Sequence, residues 1–246
     1  MVSDFASDLI GNLSILFDIA NAYFRIGDMR HVMSYTIAGG RSFNMVLSHP
    51  DRTDPSTWNQ QSRTSILSDM RAHFEGWDPR LTKIIDMIQT TLKWPLLSGS
   101  ALSRWISPSN KLLIMGDAAH AMVPYMSQGA AMAVEDAAAL AEAIDKVHNK
   151  NDLPSALQVW ETVRIKRTSQ MQEASLINGK LWHFADGPLQ RARDEAMRPE
   201  VEGRQFMSSP NQWSDPTTQR WCYGYDAERE IQKAWGNRTA NPVNGQ

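Results

Sequence analysis

Residues 111–144, KLLIMGDAAHAMVPYMSQGAAMAVEDAAALAEAI, combine a short apolar run, a glycine-containing turn and an alanine-rich helix. The apolar run at 112–115 is too short for a helix and predicts a strand that is covered on both faces. Gly116 and Asp117 end this strand. A strand that leads through a turn into a helix predicts an α/β fold that presents backbone N–H groups to an anionic ligand.

The helix of this stretch is expected to begin at about Gln128, after a loop that contains Pro124. Ser127 is the predicted N-cap. The many alanines favour a helix and permit close packing against neighbouring elements. The expected packing face consists of Ala131, Met132, Val134, Ala138, Leu140, Ala141 and Ile144.

The start of this helix predicts a binding site with two chemical requirements. The first N–H groups, near Gly129 and Ala130, have no bulky side chain beside them and would stabilise a carbonyl oxygen or an anion. Asp117 cannot serve an anion, so we expect it to accept hydrogen bonds from hydroxyl groups of the same ligand. A reduced flavin with its ribityl chain satisfies both requirements.

The residue pattern around this site is also specific. It consists of Gly116-Asp117-Ala118-Ala119-His120, Pro124, Gln128-Gly129-Ala130 and Glu135-Asp136-Ala137. This pattern resembles the second FAD motif of the flavin-dependent aromatic hydroxylases, the family that contains p-hydroxybenzoate hydroxylase and salicylate hydroxylase. The resemblance implies that Asp117 binds the ribityl chain, that Pro124 lies beside the isoalloxazine ring, and that backbone N–H groups face its pyrimidine edge. The implied cofactor-binding residues are Gly116, Asp117, Pro124, Gln128, Gly129, Ala130 and Ala131.

The same resemblance implies an activity and a set of small-molecule partners. The family hydroxylates an aromatic acid or a phenol with FAD as cofactor, NAD(P)H as co-substrate and O2 as oxidant. No residue is placed well enough to be nominated as the catalytic base, and the sequence does not identify the substrate.

A second region, RHVMSYTIAGGRSFNMVL at 30–47, predicts a β-hairpin. Strands are expected at 22–25, 31–37 and 42–47, with Ala38-Gly39-Gly40-Arg41 as a turn. In the resembling family such a hairpin belongs to the sheet beneath the substrate pocket. Met33, Tyr35 and Asn44 are therefore candidate pocket residues, or alternatively structural residues of a half-buried sheet.

The remaining chain predicts mainly helices, at 57–74, 80–91 and 153–182, with one or two helical pieces before residue 23. The last dozen residues are polar and expected to fray. A basic cluster in the long helix, Arg164, Lys166 and Arg167, is interpreted as a solvated face, with a cofactor phosphate as the alternative. The segments around 183–194 and 211–227 resemble the C-terminal region of fungal salicylate-hydroxylase-like proteins.

These elements predict an α/β (α+β) fragment. Residues 1–104 would form part of a substrate-domain sheet with helices, 105–182 the returning part of an FAD-binding domain, and 183–246 a C-terminal extension. The chain has no G-x-G-x-x-G turn for a dinucleotide pyrophosphate. We therefore expect a partial FAD-binding domain, apolar surface left uncovered near 112–115, and activity that depends on the absent half. The alternative is a non-catalytic chain that docks with a partner carrying the dinucleotide-binding half, or a homo-oligomer.

Composition and residue spacing argue against several other classes of protein. A net charge of −2 and a pI near 6.3 give no bulk attraction to nucleic acid or to an anionic membrane. The single cysteine, Cys222, excludes an intrachain disulfide and is consistent with a reducing compartment, the cytoplasm. A serine hydrolase built from Ser127, His120 and Asp117 lacks the nucleophile elbow. Four of the six histidines, His31, His49, His73 and His120, are candidate metal ligands by residue type but lack the spacing of a metal site.

Overall fold

The computed structural model describes residues 23–240. The helical pieces expected before residue 23 and the end of the chain after residue 240 lie outside the described residues. The described chain forms two compact units. The first contains the described part of Met1–Pro95 with Trp182–Leu189, and the second contains Leu96–Leu181 with the described part of Gln190–Gln246. The three-part domain division expected from the sequence stays a prediction.

A three-stranded antiparallel sheet, in the order β1-β2-β3, forms the centre of the first unit. The strands are β1 (Tyr23–Gly27), β2 (Arg30–Ile37) and β3 (Ser42–Ser48). The turn between β2 and β3 takes a left-handed backbone at Ala38, Gly39 and Gly40, with φ values of 53°, 66° and 82°. Two glycines supply this conformation without steric cost, and the predicted hairpin is confirmed.

Two helices pack on one face of this sheet. A 3-10 turn at Pro55–Gln60 leads to α1 (Arg63–His73), and α2 (Pro79–Met87) follows. Ser62 caps α1 by accepting a hydrogen bond from the Ser65 N–H at 3.1 Å, which starts the helix where the polar sequence turns apolar. The core of this unit consists of Val32, Met70, Phe74, Leu81 and Ile85.

From residue 96 onward the chain is mainly helical. The helices are α3 (Asp117–His120), α4 (Gly129–Asp145), α5 (Leu153–Trp182), α6 (Pro188–Val201), α7 (Pro216–Tyr223) and α8 (Ala227–Ala240). The long helix α5 has the predicted bounds, and its Pro154 stands in the first turn, where a missing N–H costs nothing. Within residues 23–240, none of the helices combines the length and the apolar character that a membrane span requires.

Alanines of α4 form the centre of the second unit. Ala139 and Ala143 are completely buried, and their small side chains let the helix approach Trp105, Trp160 and Ile231 closely. The two indole rings meet edge to face, with their centroids 5.5 Å apart. This core fixes α4 against α5 and α8, and thereby fixes the position of the α4 N-terminus.

The strand predicted at 112–115 is wrong. The segment makes one antiparallel bridge, between Ile106 and Leu113, with the Ile114 N–H donating to the Trp105 carbonyl at 3.0 Å. Leu112 is 68% exposed instead of covered on both faces. A strand needs a ladder of partners, and the described residues supply only this one short pairing. The expectation of uncovered apolar surface here is confirmed for Leu112 alone, because Leu113, Ile114 and Met115 are partly buried against the core of the second unit.

The predicted packing face of α4 is only partly correct. The buried residues are Met132, Asp136, Ala139 and Ala143, while Val134 is 70% exposed. Positions 132, 136, 139 and 143 follow the helical period, whereas a residue two positions away lies about 200° around the axis. The apolar character of Val134 therefore misled the prediction, and a charged residue occupies the buried stripe.

Candidate functional site

Gly116 makes the turn that leads into α3. Its backbone angles are φ 61° and ψ −146°, a conformation that residues with a side chain rarely adopt. Its N–H donates a hydrogen bond to Asp136 Oδ2 at 3.0 Å. The glycine is therefore required by the backbone, and the buried carboxylate holds the turn that positions Asp117.

The N-terminus of α4 is open. Gln128 is the N-cap residue and makes no capping hydrogen bond with its side chain, and the first turn contains no acidic residue. The predicted cap, Ser127, is wrong because its backbone is left-handed, with φ 49°, and its N–H donates to the Pro124 carbonyl at 2.9 Å. The partial positive charge of the helix start is consequently not neutralised by a side chain of its own first turn.

Asp117 lies beside this helix start. A methyl group built on Gly129 would lie 4.0 Å from Asp117 Oδ1 and 3.9 Å from Met122 Cγ. The Asp117 side chain and Ala130 are exposed. The structure thus brings the Asp117 carboxylate close to the small residues at the N-terminus of α4. Their role in binding a flavin stays a prediction.

Side chains of helix α5 make hydrogen bonds to the loop between α3 and α4. Asn178 Nδ2 donates to the Tyr125 carbonyl at 2.9 Å, and the Tyr125 ring lies so close to Gly179 that any side chain there would overlap it. Gln172 Nε2 donates to the Ala121 carbonyl at 3.1 Å. The loop that presents the exposed Pro124 is therefore anchored on both sides of that proline.

His120 and Asp136 form a buried pair. Their Nε2 and Oδ2 atoms are 2.6 Å apart, and Arg164 Nε donates to the other carboxylate oxygen at 2.8 Å. Burial alone would raise the pKa of Asp136, but the bonds from His120, the Gly116 amide and Arg164 outweigh it and lower that pKa. His120 therefore ties the α3 turn to α4. Its other ring nitrogen, Nδ1, makes no hydrogen bond to Ser127, whose hydroxyl donates to the Pro124 carbonyl.

The interpretation of Arg164 and Arg167 as a solvated face is wrong. Arg164 is 0% exposed and Arg167 is buried, whereas Lys166 between them is exposed. Arg164 Nη1 donates to Glu135 at 2.8 Å, and Arg167 donates to both oxygens of that carboxylate, at 3.2 and 3.3 Å. A buried guanidinium is tolerated because these carboxylates compensate its charge.

Sequence reasoning missed Asp136, Arg164 and Arg167 as residues of the site. A signal was present, because positions 160, 164, 167 and 171 of α5 follow the helical period of the buried Trp160 and Met171. Charged residues on the buried stripe of one helix require partners on a neighbouring stripe.

The candidate pocket residues of the sheet share one face. Tyr35 and Asn44 are direct cross-strand partners, and Met33 precedes Tyr35 by two residues. All three are half-buried, on the face opposite Val32 and its helix core. Their role in a substrate pocket stays a prediction.

Among residues 23–240, no three His, Cys, Asp or Glu side chains gather as a metal site. His49 and His73 stack on each other with ring centroids 3.9 Å apart, and His31 bonds to His183 through ring nitrogens 2.9 Å apart.

The sequence and the structure were compared with those of known proteins. Residues 86–175 match the FAD binding domain family. FAD-dependent monooxygenase OpS4 of Beauveria bassiana is 36% identical over 204 residues, which cover 83% of this chain and 47% of that protein. 3-Hydroxybenzoate 6-hydroxylase of Polaromonas naphthalenivorans is 28% identical over 82% of this chain and 46% of its own length.

Solved structures show the same fold. A salicylate hydroxylase substrate complex superposes with a TM-score of 0.69 at 21% identity, over 92% of this chain and 54% of that one. FqzB superposes with a TM-score of 0.71 at 23% identity, over 100% of this chain and 55% of that one. The chain spans about half the length of the curated relatives it matches. The chain therefore contains a segment of the FAD binding domain family and is similar to FAD-dependent aromatic monooxygenases over about half of their length.

Proposed function

We propose that the chain contributes the flavin-ring half of an FAD site in a monooxygenase that hydroxylates an aromatic acid or phenol. The observation that carries the proposal is the open N-terminus of α4 with Asp117 beside it, 4.0 Å from the Cβ position of Gly129. Bound FAD would supply the redox and oxygen-transfer chemistry, with NAD(P)H as reductant and O2 as oxidant.

Each residue of the site then has a stated role. Asp117 accepts hydrogen bonds from the ribityl hydroxyls, because an ionised carboxylate is an acceptor only. The N–H groups of Gly129, Ala130 and Ala131 stabilise negative charge at the pyrimidine edge, because they point along the helix axis and lack intrahelical partners. Pro124 offers an exposed, rigid contact for the ring. Gly116 and Gln128 shape the backbone on either side.

The substrate side of the proposal rests on the sheet. Met33, Tyr35 and Asn44 share one face of β2 and β3, and together they offer an apolar side chain, a phenol and an amide to a small aromatic molecule.

The proposed compartment is the cytoplasm, because the single cysteine of the chain, Cys222, is buried and suits reducing conditions.

Riboflavin is the sharpest probe of this site, because it carries the ring and the ribityl chain but no ADP. We expect the purified chain to raise the fluorescence anisotropy of riboflavin, and we expect excess ADP not to compete. Asp117→Ala should weaken riboflavin binding about tenfold or more, because hydrogen bonds to a charged acceptor are worth about 1.5–3 kcal/mol.

Asp145→Ala is the matched control, because Asp145 is an exposed carboxylate at the other end of the same helix. It should bind riboflavin as the unaltered chain does. Equal affinity of the Asp117→Ala variant would contradict the assigned role of Asp117. Competition by ADP, or no binding of riboflavin or FAD at all, would contradict the proposed function.

A second candidate is a non-catalytic chain that docks with a partner carrying the dinucleotide-binding half. The exposure of two apolar side chains, Leu112 at 68% and Val134 at 70%, favours it. A colourless protein whose melting temperature is unchanged by excess riboflavin and FAD would support this role, whereas a flavin absorption band after purification would support the enzyme.

A further inference from the structure

We propose that the aromatic residues Trp221 and Tyr225 position the flavin site by clasping Arg167, so that the C-terminal segment is part of the cofactor-binding machinery. This inference rests on the proposed function for its consequence, but its structural step concerns residues of this chain alone. Neither residue belongs to the flavin motif, and both lie in a segment to which sequence analysis gave no role.

The clasp is built from two rings and two carbonyls. The Arg167 guanidinium lies 4.6 Å from the centroid of the Trp221 ring and 4.2 Å from that of the Tyr225 ring. It also donates to the carbonyls of Trp221, at 3.2 Å, and Cys222, at 2.8 Å. A desolvated cation close to two aromatic rings is attracted to both, and the two hydrogen bonds to carbonyls set the orientation of the guanidinium.

Hydrogen bonds fix both ends of α7, the helix that carries Trp221. Asp215 caps α7 by accepting a hydrogen bond from the Thr218 N–H at 2.8 Å. At the other end, the Gly224 N–H donates to the Arg220 carbonyl at 2.9 Å, and a Cβ on Gly224 would lie 2.6 Å from that same oxygen. A side chain at position 224 would therefore disturb the turn between Trp221 and Tyr225, the two residues whose rings lie near Arg167.

The clasped guanidinium holds Glu135 on helix α4. Arg167 and Arg164 share the Glu135 carboxylate, and Arg164 also donates to the Met132 carbonyl at 3.2 Å. The Arg164 guanidinium lies 5.5 Å from the Tyr225 ring, so the same ring contacts both cations. The first turns of α4 are therefore tied to the C-terminal segment through two arginines.

The last link reaches the flavin loop. Arg164 donates to Asp136 at 2.8 Å, and Asp136 accepts from the Gly116 amide and from His120. The chain of contacts thus runs from Tyr225 to the residue that precedes Asp117. In a buried network every donor depends on the placement of its acceptor, so removing the rings should loosen the Gly116 turn.

Hydrogen exchange in the absence of flavin tests the structural step. We expect Tyr225→Leu to accelerate amide exchange of residues 116–120 about tenfold relative to the unaltered chain. In this variant the turn at 116–120 can open without breaking the contact between the ring of residue 225 and Arg167, so opening costs less free energy. Tyr225→Phe keeps the ring over both guanidinium groups and should leave the exchange rate near that of the unaltered chain. Trp221→Leu is an independent second variant with the same expected direction.

Met197→Ala is the control for lost stability. Met197 is buried on α6 and belongs to the second unit but not to the network. It should lower the free energy of unfolding without a selective change at 116–120. If Tyr225→Leu leaves exchange at 116–120 unchanged, or if Met197→Ala accelerates it equally, the proposal is overturned.

Riboflavin titration tests the consequence for the cofactor. Tyr225→Leu should weaken riboflavin binding several-fold, and Tyr225→Phe should restore it. Accelerated exchange together with unchanged riboflavin affinity would overturn the positioning role. Failure of the unaltered chain to bind riboflavin would instead count against the proposed function, while the exchange measurement would still decide whether the clasp controls the Gly116 turn.

Discussion

At the scale of single residues, Asp136 is the most constrained group of the site. It is completely buried on α4 and accepts bonds from a backbone amide, a histidine and an arginine. The sequence did not predict that Asp136 is buried, because Glu135 and Asp136 are two neighbouring acidic residues in an alanine-rich helix. The sequence indicates that a carboxylate stands there, but only the packed structure names its three donors.

Removing the charge of Asp136 should be costly. Asp136→Asn leaves Arg164 buried with Glu135 as its remaining carboxylate, so we expect the free energy of unfolding to fall by about 3 kcal/mol. Urea unfolding monitored by circular dichroism measures the loss. Asp145→Asn makes the same chemical change at an exposed position of the same helix and should cost less than about 1 kcal/mol. Equal losses for both variants would contradict the buried network.

At the scale of elements, α4 begins without a capping side chain, so its first N–H groups have no side-chain acceptor from the cap residue. Its position was predictable, since the alanine run and the preceding loop set the start near Gln128. Its buried side was predicted less well, because apolar residues occur on both sides of this helix. Its cap was predicted wrongly, because Ser127 belongs to the preceding turn.

A negative charge placed at the start of α4 should stabilise the helix and weaken the binding of a flavin there. Ala130→Asp adds a carboxylate to the first turn, so the variant should be about 0.5–1 kcal/mol more stable than Ala137→Asp, which places the same residue in the helix middle. Both alanines are exposed, and thermal unfolding compares the two variants. Ala130→Asp should also bind riboflavin more weakly than Ala137→Asp does. The reverse order in either measurement would contradict an anion-stabilising helix start.

At the scale of the whole molecule, each compact unit has its own core and its own buried histidine contact. In the first unit, β2 and the segment Trp182–Leu189 are joined through His31 and His183, which are far apart in sequence. Burial, reinforced by the neighbouring His183, lowers the pKa of His31 from 6.5 to about 3. The folded chain therefore keeps His31 neutral where an unfolded chain would protonate it.

This difference predicts acid sensitivity with a defined sign. Below about pH 6.5 the unfolded state binds a proton that the folded state refuses down to about pH 3, so stability should fall by up to about 1.4 kcal/mol per pH unit in that window. Urea unfolding at about pH 7 and about pH 5 should show a smaller loss for His31→Asn than for the unaltered chain. The exposed His148, changed to Asn, is the control. Identical pH dependence in the His31 variant would contradict the prediction.

The sequence by itself determined the flavin motif, the hairpin, the long helix α5 and the start of α4, because glycine turns, helical periods and small residues act locally along the chain. Only the tertiary structure decided that residues 112–115 make a single bridge, that Arg164 and Arg167 are buried, and that Trp221 and Tyr225 clasp the latter. The physical reason is that burial and ion pairing depend on which distant side chains meet, and arginines with carboxylate partners on another helix have the same local sequence signature as arginines in water.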